Sequence, residues 1–585
     1  MKQHAIAVAK SKFETDQPAL GTGRITALTV FIFVFAAVIV LRLFSLQVLQ
    51  HPYYEALASD SQEVYRNLLP SRGSIYVRED GDLHPLVTNR DYYLVYAEPS
   101  KIESPSNVID SITSILGLTE EEWKALLPKL SKADDPYEPI KQKVSQQQVD
   151  QIKALGLAGI GWTPESYRYY PEKNLGGHLF GYVGFTDDHR VGLYGLEGYF
   201  NEELSGSSGL LKSVKDAFGA LITIGPRQLE PAQDGTDLVL TIDRRIQFYA
   251  CERLKHFYEY FGAEKGSVVI LEPTTGAVLA MCAYPDFDPE KYGEVKDINI
   301  FNNPAIFHPY EPGSVFKSIT MAAAINEGKI TPTTTYEDTG EVKVAGYTLR
   351  NFDNQAHGVQ TMTAVLQQSL NTGAIFAAES IGRKTFRDYV KRFGFGELTG
   401  IELDTEVAGN ISPLDKDADV FYMTASYGHG LTTTLLQLAA AYGAVANGGW
   451  LMQPYIVAEK IIPGKEPIIT ESKKIRQPIS ERTATIITGM LTSVVEDSYD
   501  RKAKVEGYYL AAKTGTALIP GASGGYSNQT IHSVMGFGPI SNPRFVIAIR
   551  LDKPQGVRFA SDTITPLFSQ IASYLLDYYQ IPPDY

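Results

Sequence analysis

Ser314-Val315-Phe316-Lys317, Ser369-Leu370-Asn371 and Lys513-Thr514-Gly515 lie in that order in one chain of 585 residues. Singly they carry little. A serine three residues before a lysine is most often a helix cap beside a solvated lysine, Ser-Leu-Asn-Thr-Gly a loop or cap, and Lys-Thr-Gly-Thr an exposed strand end. Together they supply a nucleophile, a base, a proton relay and a second cation, the residue set of a serine acyl-transfer site. Ser314 and Lys317 form the only Ser-x-x-Lys pair, Lys-Thr-Gly also occurs once, and the separations are 55 residues from Ser314 to Ser369 and 144 from there to Lys513.

Pro312-Gly313 precedes Ser314, and residues 315–324 have helical spacing, so Ser314 is expected at or near a helix N-terminus. Free backbone N–H groups there favour developing negative charge, and one turn puts Lys317 on the same face. Lys317 serves as base only when deprotonated, and both burial and a second cation, Lys513, lower a lysine pKa. In this reading Ser314 attacks a carbonyl, Ser369 relays the proton to the leaving amine, and Asn371 holds substrate amide and Lys317 together. Lys513, Thr514 and Thr516 suit a substrate carboxylate, and Gly515 lets substrate backbone approach its strand. The backbone N–H groups of Ser314 and Thr516 are the candidate oxyanion hole. Tyr427-Gly428-His429-Gly430 reads first as a glycine-rich turn into the helical run from Leu435 to Ala446, and second as lining of the same cleft.

The composition, 44% hydrophobic and 21% charged, is that of a folded protein too long for one core. A formal charge of -14 leaves no basic footprint for nucleic acid. Two cysteines, Cys251 and Cys282, exclude a thiolate zinc cluster and are read as two buried thiols or one bridge. The ten histidines show no paired metal-ligand spacing, so no metal is expected.

From Ile25 to Leu41 every residue is apolar or Thr, and the apolar character resumes after Arg42. That approaches the ~20 residues needed to span a bilayer. Lys2, Lys10, Lys12 and Arg24 outweigh Glu14 and Asp16, which predicts a cytoplasmic N-terminus. No small-x-small site follows, so an uncleaved anchor is preferred to a signal peptide. The expected organisation is a short tail (1–24), an anchor and juxtamembrane helix (25–49), a mixed domain (50–235) and a catalytic domain (236–585). Residues 110–132 read as a loosely helical acidic stretch. Gly266 to Leu271 and Ala277 to Ala283 read as a hairpin across Glu272-Pro273-Thr274-Thr275-Gly276, at the edge of a central antiparallel sheet. Residues 508–512 read as a strand leading to Lys513, and residues 533–537 and 544–550 as two more.

The chain resembles the class B penicillin-binding proteins. Tyr310-Glu311-Pro312-Gly313-Ser314-Val315-Phe316-Lys317 is close to that family's active-site helix sequence, and Gln437-Leu438-Ala439, Ala446-Asn447-Gly448-Gly449, Lys513-Thr514-Gly515-Thr516-Ala517 and Gly536-Phe537-Gly538-Pro539 are also family-like. Arg72-Gly73-Ser74-Ile75, Tyr170-Pro171, Gly181-Tyr182-Val183-Gly184 and Gly195-Leu196-Glu197 resemble its pedestal motifs, although Tyr76-Val77-Arg78-Glu79-Asp80-Gly81 stands where the family often has Asp-Arg-Asn-Gly.

The resemblance implies an α/β (α+β) penicillin-binding transpeptidase fold, an antiparallel sheet flanked by helices, on an elongated mixed α+β pedestal behind a transmembrane helix. It implies a peptidoglycan D,D-transpeptidase of the plasma membrane, single-pass, with its catalytic domain outside. The substrate would be a stem peptide ending in D-Ala-D-Ala, β-lactams would be inhibitors, and no cofactor is needed. A polytopic glycan polymerase of the SEDS type and other division or elongation proteins are the implied partners, with a septal role preferred. The rival readings are a serine β-lactamase or D,D-carboxypeptidase on the same core, and a non-catalytic β-lactam sensor or polymerase scaffold.

Overall fold

A computed structural model describes residues 22–49, 63–68, 70–173, 175–186, 189–214, 228–498, 501–521 and 525–585. The chain divides into two compact units, Met1–Leu69 with Ser208–Ala232, and Pro70–Ser207 with Gln233–Tyr585. In the first, the helix Thr22–Phe44 is followed by an antiparallel sheet of Glu63–Leu68, Gly209–Val214 and Gln228–Glu230. Ala27–Gln47, 21 residues, is long and apolar enough to cross a membrane, because at 1.5 Å per residue it matches a hydrocarbon core of about 30 Å. This single helix fits a membrane anchor. The expected cytoplasmic tail falls, before Thr22, outside the described residues.

In the second unit, Asp82–Ala97 pairs antiparallel with Ile75–Glu79, Glu138–Val144 and Ile160–Tyr169. Asp237–Leu240 joins the same sheet, parallel to Ile75, Tyr76 and Val77 and antiparallel to Val457–Ile461. The sheet therefore runs across the turn-rich segment at residues 230–235, since local alternation marks a strand but not its partner. The acidic stretch expected as one helical run is two helices, Pro105–Leu116 and Glu120–Leu130. Gly117, at φ +59°, ends the first, and a capping box of Thr119 and Glu122 starts the second.

Glu197 is fully buried in this region. Arg72 Nε donates to it at 2.7 Å and Arg168 Nε at 2.6 Å. Burial alone would raise its pKa, but the two guanidiniums outweigh burial and hold the carboxyl below its ordinary range. Arg72, Arg168 and Glu197 lie in or beside three short motifs far apart in sequence, and this one charge joins them.

The central sheet consists of β1 (Lys265–Leu271), β2 (Val278–Tyr284), β3 (Ala511–Pro520), β4 (Tyr526–Gly538) and β5 (Phe545–Asp552), in the order β2-β1-β5-β4-β3. All neighbours are antiparallel, the predicted hairpin is β1–β2, and β2 is an edge. Successive side chains point to opposite faces. Val268, Ile270, Ile547 and Ile549 pack with α1 (Arg244–Tyr260) and α5 (Ala560–Tyr578). Val269, Leu271, Val546 and Ala548 join the core that holds α2 (Lys317–Asn326), α3 (Asn371–Arg392) and α4 (Leu435–Ala446). Helices on both faces explain why all eight residues of β5 are buried. Cys251 on α1 and Cys282 on β2 are disulfide-bonded, their Cα atoms 5.9 Å apart, which decides between the two readings of the cysteines.

One strand boundary differs from expectation. β3 begins at Ala511, not Tyr508, so Lys513-Thr514-Gly515-Thr516 lies inside an edge strand rather than at its end. The two tyrosines are instead tied to the C-terminal segment: Tyr508 OH donates to the Ile581 carbonyl at 2.7 Å and Tyr509 N–H to Asp584 at 2.8 Å.

Candidate active site

Residues 313–316 form a 3-10 turn that runs into α2. With three residues per turn, positions i and i+3 eclipse, so Ser314 and Lys317 share a face, and the Lys317 N–H donates to the Ser314 carbonyl. Glycines hold the turn on two sides. A Cβ on Gly428 would fall 2.1 Å from the Gly313 carbonyl oxygen, and one on Gly515 2.7 Å from that of Pro312. The missing Cβ of Gly515 is directed at the chain's own nucleophile turn rather than at a substrate strand, which corrects the reason expected for this glycine.

Ser369 caps the helix Met362–Gln368 in the left-handed region, φ +58° and ψ 42°. Serine is uncommon there, and such strain tends to persist where function over-determines the backbone. The conformation directs both oxygens at lysines. Lys317 Nζ donates to the Ser369 carbonyl at 2.5 Å and to its Oγ at 3.2 Å, and Lys513 Nζ donates to the same Oγ at 3.1 Å. Both lysines are fully buried. Burial first, and the Lys513 charge second, drive the Lys317 pKa well below its ordinary value. A neutral amine carries a lone pair able to take a proton.

Ser314, Ser369, Asn371, Thr514 and Thr516 line one cavity of about 590 Å³. Tyr427 and His429 line it too, so the second reading of that glycine-rich segment holds beside the first. Burial, then Lys317, lowers the His429 pKa to about 4, which keeps the ring neutral. Asn371 departs from its expected link to Lys317: its amide donates to the Arg350 carbonyl at 2.8 Å, and the Ser369 carbonyl holds the lysine instead. Thr516 Oγ1 accepts from Ala560 N–H, the first residue of α5, at 3.2 Å, which leaves its own hydrogen to be donated into the cleft.

Further residues of the site have no sequence signal. Asn351 Oδ1 accepts from Asn371 N–H at 2.9 Å and Thr372 N–H at 3.2 Å, while its amide donates to buried Asp338 at 2.8 and 3.0 Å. This network fixes the entry to α3. Phe352 and Phe559 meet edge-on at 5.7 Å, with Arg558 5.3 Å from each ring, at the cavity rim. No fixed spacing relates these positions, so only the fold brings them together.

Residues 266–573, more than half of the chain, match the model of the penicillin binding protein transpeptidase domain, and residues 67–240 match the penicillin-binding protein dimerisation domain. The chain belongs to the penicillin-binding protein transpeptidase family. It is similar to the stage V sporulation protein D of Bacillus subtilis, 33% identical over 522 residues that cover 88% of this chain and 79% of that protein. It is also similar to the probable peptidoglycan D,D-transpeptidase PbpC of Pseudomonas aeruginosa, 29% identical over 570 residues and 95% of each chain. Among solved structures, penicillin binding protein 3 of Mycobacterium tuberculosis complexed with aztreonam has a TM-score of 0.67 at 26% identity, with 89% of this chain and 98% of that one covered. Penicillin binding protein 2X of Streptococcus thermophilus shares the fold, with a TM-score of 0.74 at 21% identity, over 88% of this chain and 80% of that one. In this chain Ser369, at positive φ, thus stands between two buried lysines, Lys317 and Lys513.

Proposed function

We propose that this protein is a membrane-anchored peptidoglycan D,D-transpeptidase that cross-links stem peptides through an acyl-enzyme on Ser314. The observation that carries the reading is the Ser369 hydroxyl shared by Lys317 and Lys513 beside a cavity that Ser314 lines. Neutral Lys317 takes the Ser314 proton as Oγ attacks the penultimate D-alanyl carbonyl, and Ser369 passes a proton to the departing D-alanine. Lys513, Thr514 and Thr516 receive the terminal carboxylate. The N–H groups of Ser314 and Thr516 form the oxyanion hole, and Asn371 holds substrate amide. Edge strand β3 offers its open edge, with Gly515 within it, to an extended donor peptide as one more strand. β-Lactams, as mimics of that peptide, acylate Ser314.

In this reading residues 50–235 are the pedestal and 236–585 the transpeptidase domain, with the N-terminus cytoplasmic and the site outside. The role is septal, supported by the sequence around Ser314 and Ser369, with a polytopic SEDS-type glycan polymerase as partner. Mass spectrometry after penicillin treatment tests the centre of the proposal. A long-lived adduct on Ser314, absent from Ser314→Ala, is expected; no adduct overturns the reading, and rapid turnover favours a β-lactamase. Cross-linking that persists in cells carrying only Ser314→Ala would instead favour a scaffold.

A further inference from the structure

Beside the nucleophile turn sits a carboxylate that the acylation chemistry leaves unused. Glu311, three residues before Ser314, accepts from Gly430 N–H at 3.0 Å through Oε1 and from Tyr526 OH at 3.0 Å through Oε2. His429 Nδ1 lies 3.8 Å from Oε2, and the His429 ring stands 5.4 Å from that of Tyr526 and 5.2 Å from that of Tyr427. The Glu311 side chain is 12% exposed. Among the described residues no lysine or arginine pairs with it. Removing a carboxylate from water without a cationic partner is costly. Two neutral donors satisfy part of its hydrogen-bonding capacity and leave its charge uncompensated. Glu311 stands behind His429, which lines the cavity, whereas the carboxylate of the cavity wall itself, Asp353, pairs with His357 at 2.9 Å. The buried Lys513 ammonium thus lies on the Ser369 side of the site, and the Glu311 carboxylate lies behind His429.

We infer that Glu311, framed by His429 and Tyr526, receives the acceptor amine, a primary alkylammonium, for the second half of the reaction. The inference rests on the transpeptidase reading above. An alkylammonium with a pKa near that of lysine, about 10, arrives protonated, and near the Lys513 charge it would be repelled. Glu311 draws it in and takes one proton, the carboxylate becoming a carboxylic acid. The freed lone pair attacks the ester carbonyl of acyl-Ser314 and the C–N bond forms. The C–O bond to Ser314 then breaks, and Lys317 carries a second proton from the nitrogen to Ser314 Oγ. The amide product leaves with one N–H, Ser314 regains its hydroxyl, and the proton on Glu311 returns to solvent.

The test uses the full chain in detergent, an N-acyl-D-alanyl thioester as donor, and Nα-acetyllysine or hydroxylamine as nucleophile. The ratio of aminolysis to hydrolysis is read on acyl-enzyme already formed, so any change in acylation divides out. Glu311→Gln keeps the shape and one acceptor, its amide oxygen for Gly430 N–H, turns its other end into an NH2 that can donate to the Tyr526 oxygen, and loses the charge. It should lower the ratio for Nα-acetyllysine at least tenfold while changing that for hydroxylamine, uncharged at neutral pH, less than twofold; Glu311→Asp should recover part of the loss. An unchanged ratio for Nα-acetyllysine, or equal losses for both nucleophiles, overturns the inference and leaves Glu311 a structural residue. A wild-type chain that takes up no penicillin on Ser314 overturns the transpeptidase reading itself.

Discussion

Replacing Gly515 by alanine should slow acylation of Ser314 about a hundredfold, whatever the size of the donor. Gly515 lies within β3, opposite Ser533 and without a positive φ, so alanine suits its backbone and the effect is steric. Its Cβ would meet the Pro312 oxygen and Ser533 Oγ, both at 2.7 Å, and Val315 Cγ1 at 3.2 Å. The Ser533 hydroxyl can rotate away. The Pro312 carbonyl cannot, because it belongs to the turn that carries Ser314. Restoring an ordinary contact of about 3.5 Å moves turn or strand by about 0.8 Å, and a misplacement near 1 Å costs on the order of 10² in rate. Overpacking costs about 1–3 kcal/mol, offset by about 0.4–1 kcal/mol from the reduced freedom of the unfolded chain. Net destabilisation of about 1–2 kcal/mol leaves the protein folded, so the kinetic loss is readable. The assay is the rate of labelling by a fluorescent penicillin and by a small thioester, beside thermal unfolding, with Ser533→Ala giving no rescue. Unchanged labelling, or a loss confined to the bulky donor, would refute the packing argument and return Gly515 to the role of admitting substrate.

Because the Lys317 pKa is lowered on folding, the unfolded state binds more protons between its native value and 10.5. Stability should therefore rise with pH across that window relative to Lys317→Met, and wild-type acylation should rise through the native value and then level off; parallel stability profiles would contradict this. Glu197→Ala leaves the guanidiniums of Arg72 and Arg168, 13% and 5% exposed, without their shared counter-ion. A loss of about 3–5 kcal/mol is expected in urea denaturation, and one below about 1 kcal/mol would show that water replaces the carboxylate. Asn351→Ala strips Asp338 of its amide donor and the N–H groups of Asn371 and Thr372 of an acceptor. It should cost about 2–3 kcal/mol and slow penicillin labelling; a labelling rate equal to wild type would detach this network from catalysis.

The reaction was more legible in the sequence than the frame that supports it. Ser314, Lys317, Ser369 and Lys513 carry the chemistry in short contiguous words, and the hairpin β1–β2 has both alternation and a turn between its strands. Pairing across 163 or 220 residues leaves no such trace, which is why Asp237–Leu240 reads as the start of one domain and pairs with Ile75, Tyr76, Val77 and Val457–Ile461. Asp338, Asn351 and Thr372 were invisible for the same reason: each is an ordinary polar residue until burial makes its hydrogen bonds compulsory. Glu311 stands in the sequence only as part of a motif, since nothing local shows that Tyr526, 215 residues away, binds it.

Four residues that defy local preference gather at the cleft. Lys317 and Lys513 are fully buried, a rare state for lysine, Ser369 adopts a conformation that favours glycine, and Glu311 is largely withdrawn from water with no lysine or arginine paired to it among the described residues. Each is unfavourable alone, and a sequence selected for stability only would place apolar residues or glycine there. The large cores on both faces of the central sheet can sustain them. Relaxing any one removes a specific capacity: an exposed Lys317 would stay protonated, a relaxed Ser369 would lose its reach to both lysines, and a neutral Glu311 would remove the negative charge behind His429. The cleft is therefore better understood as strain held in register by glycine contacts at Gly428 and Gly515 than as a set of reactive side chains on a passive support.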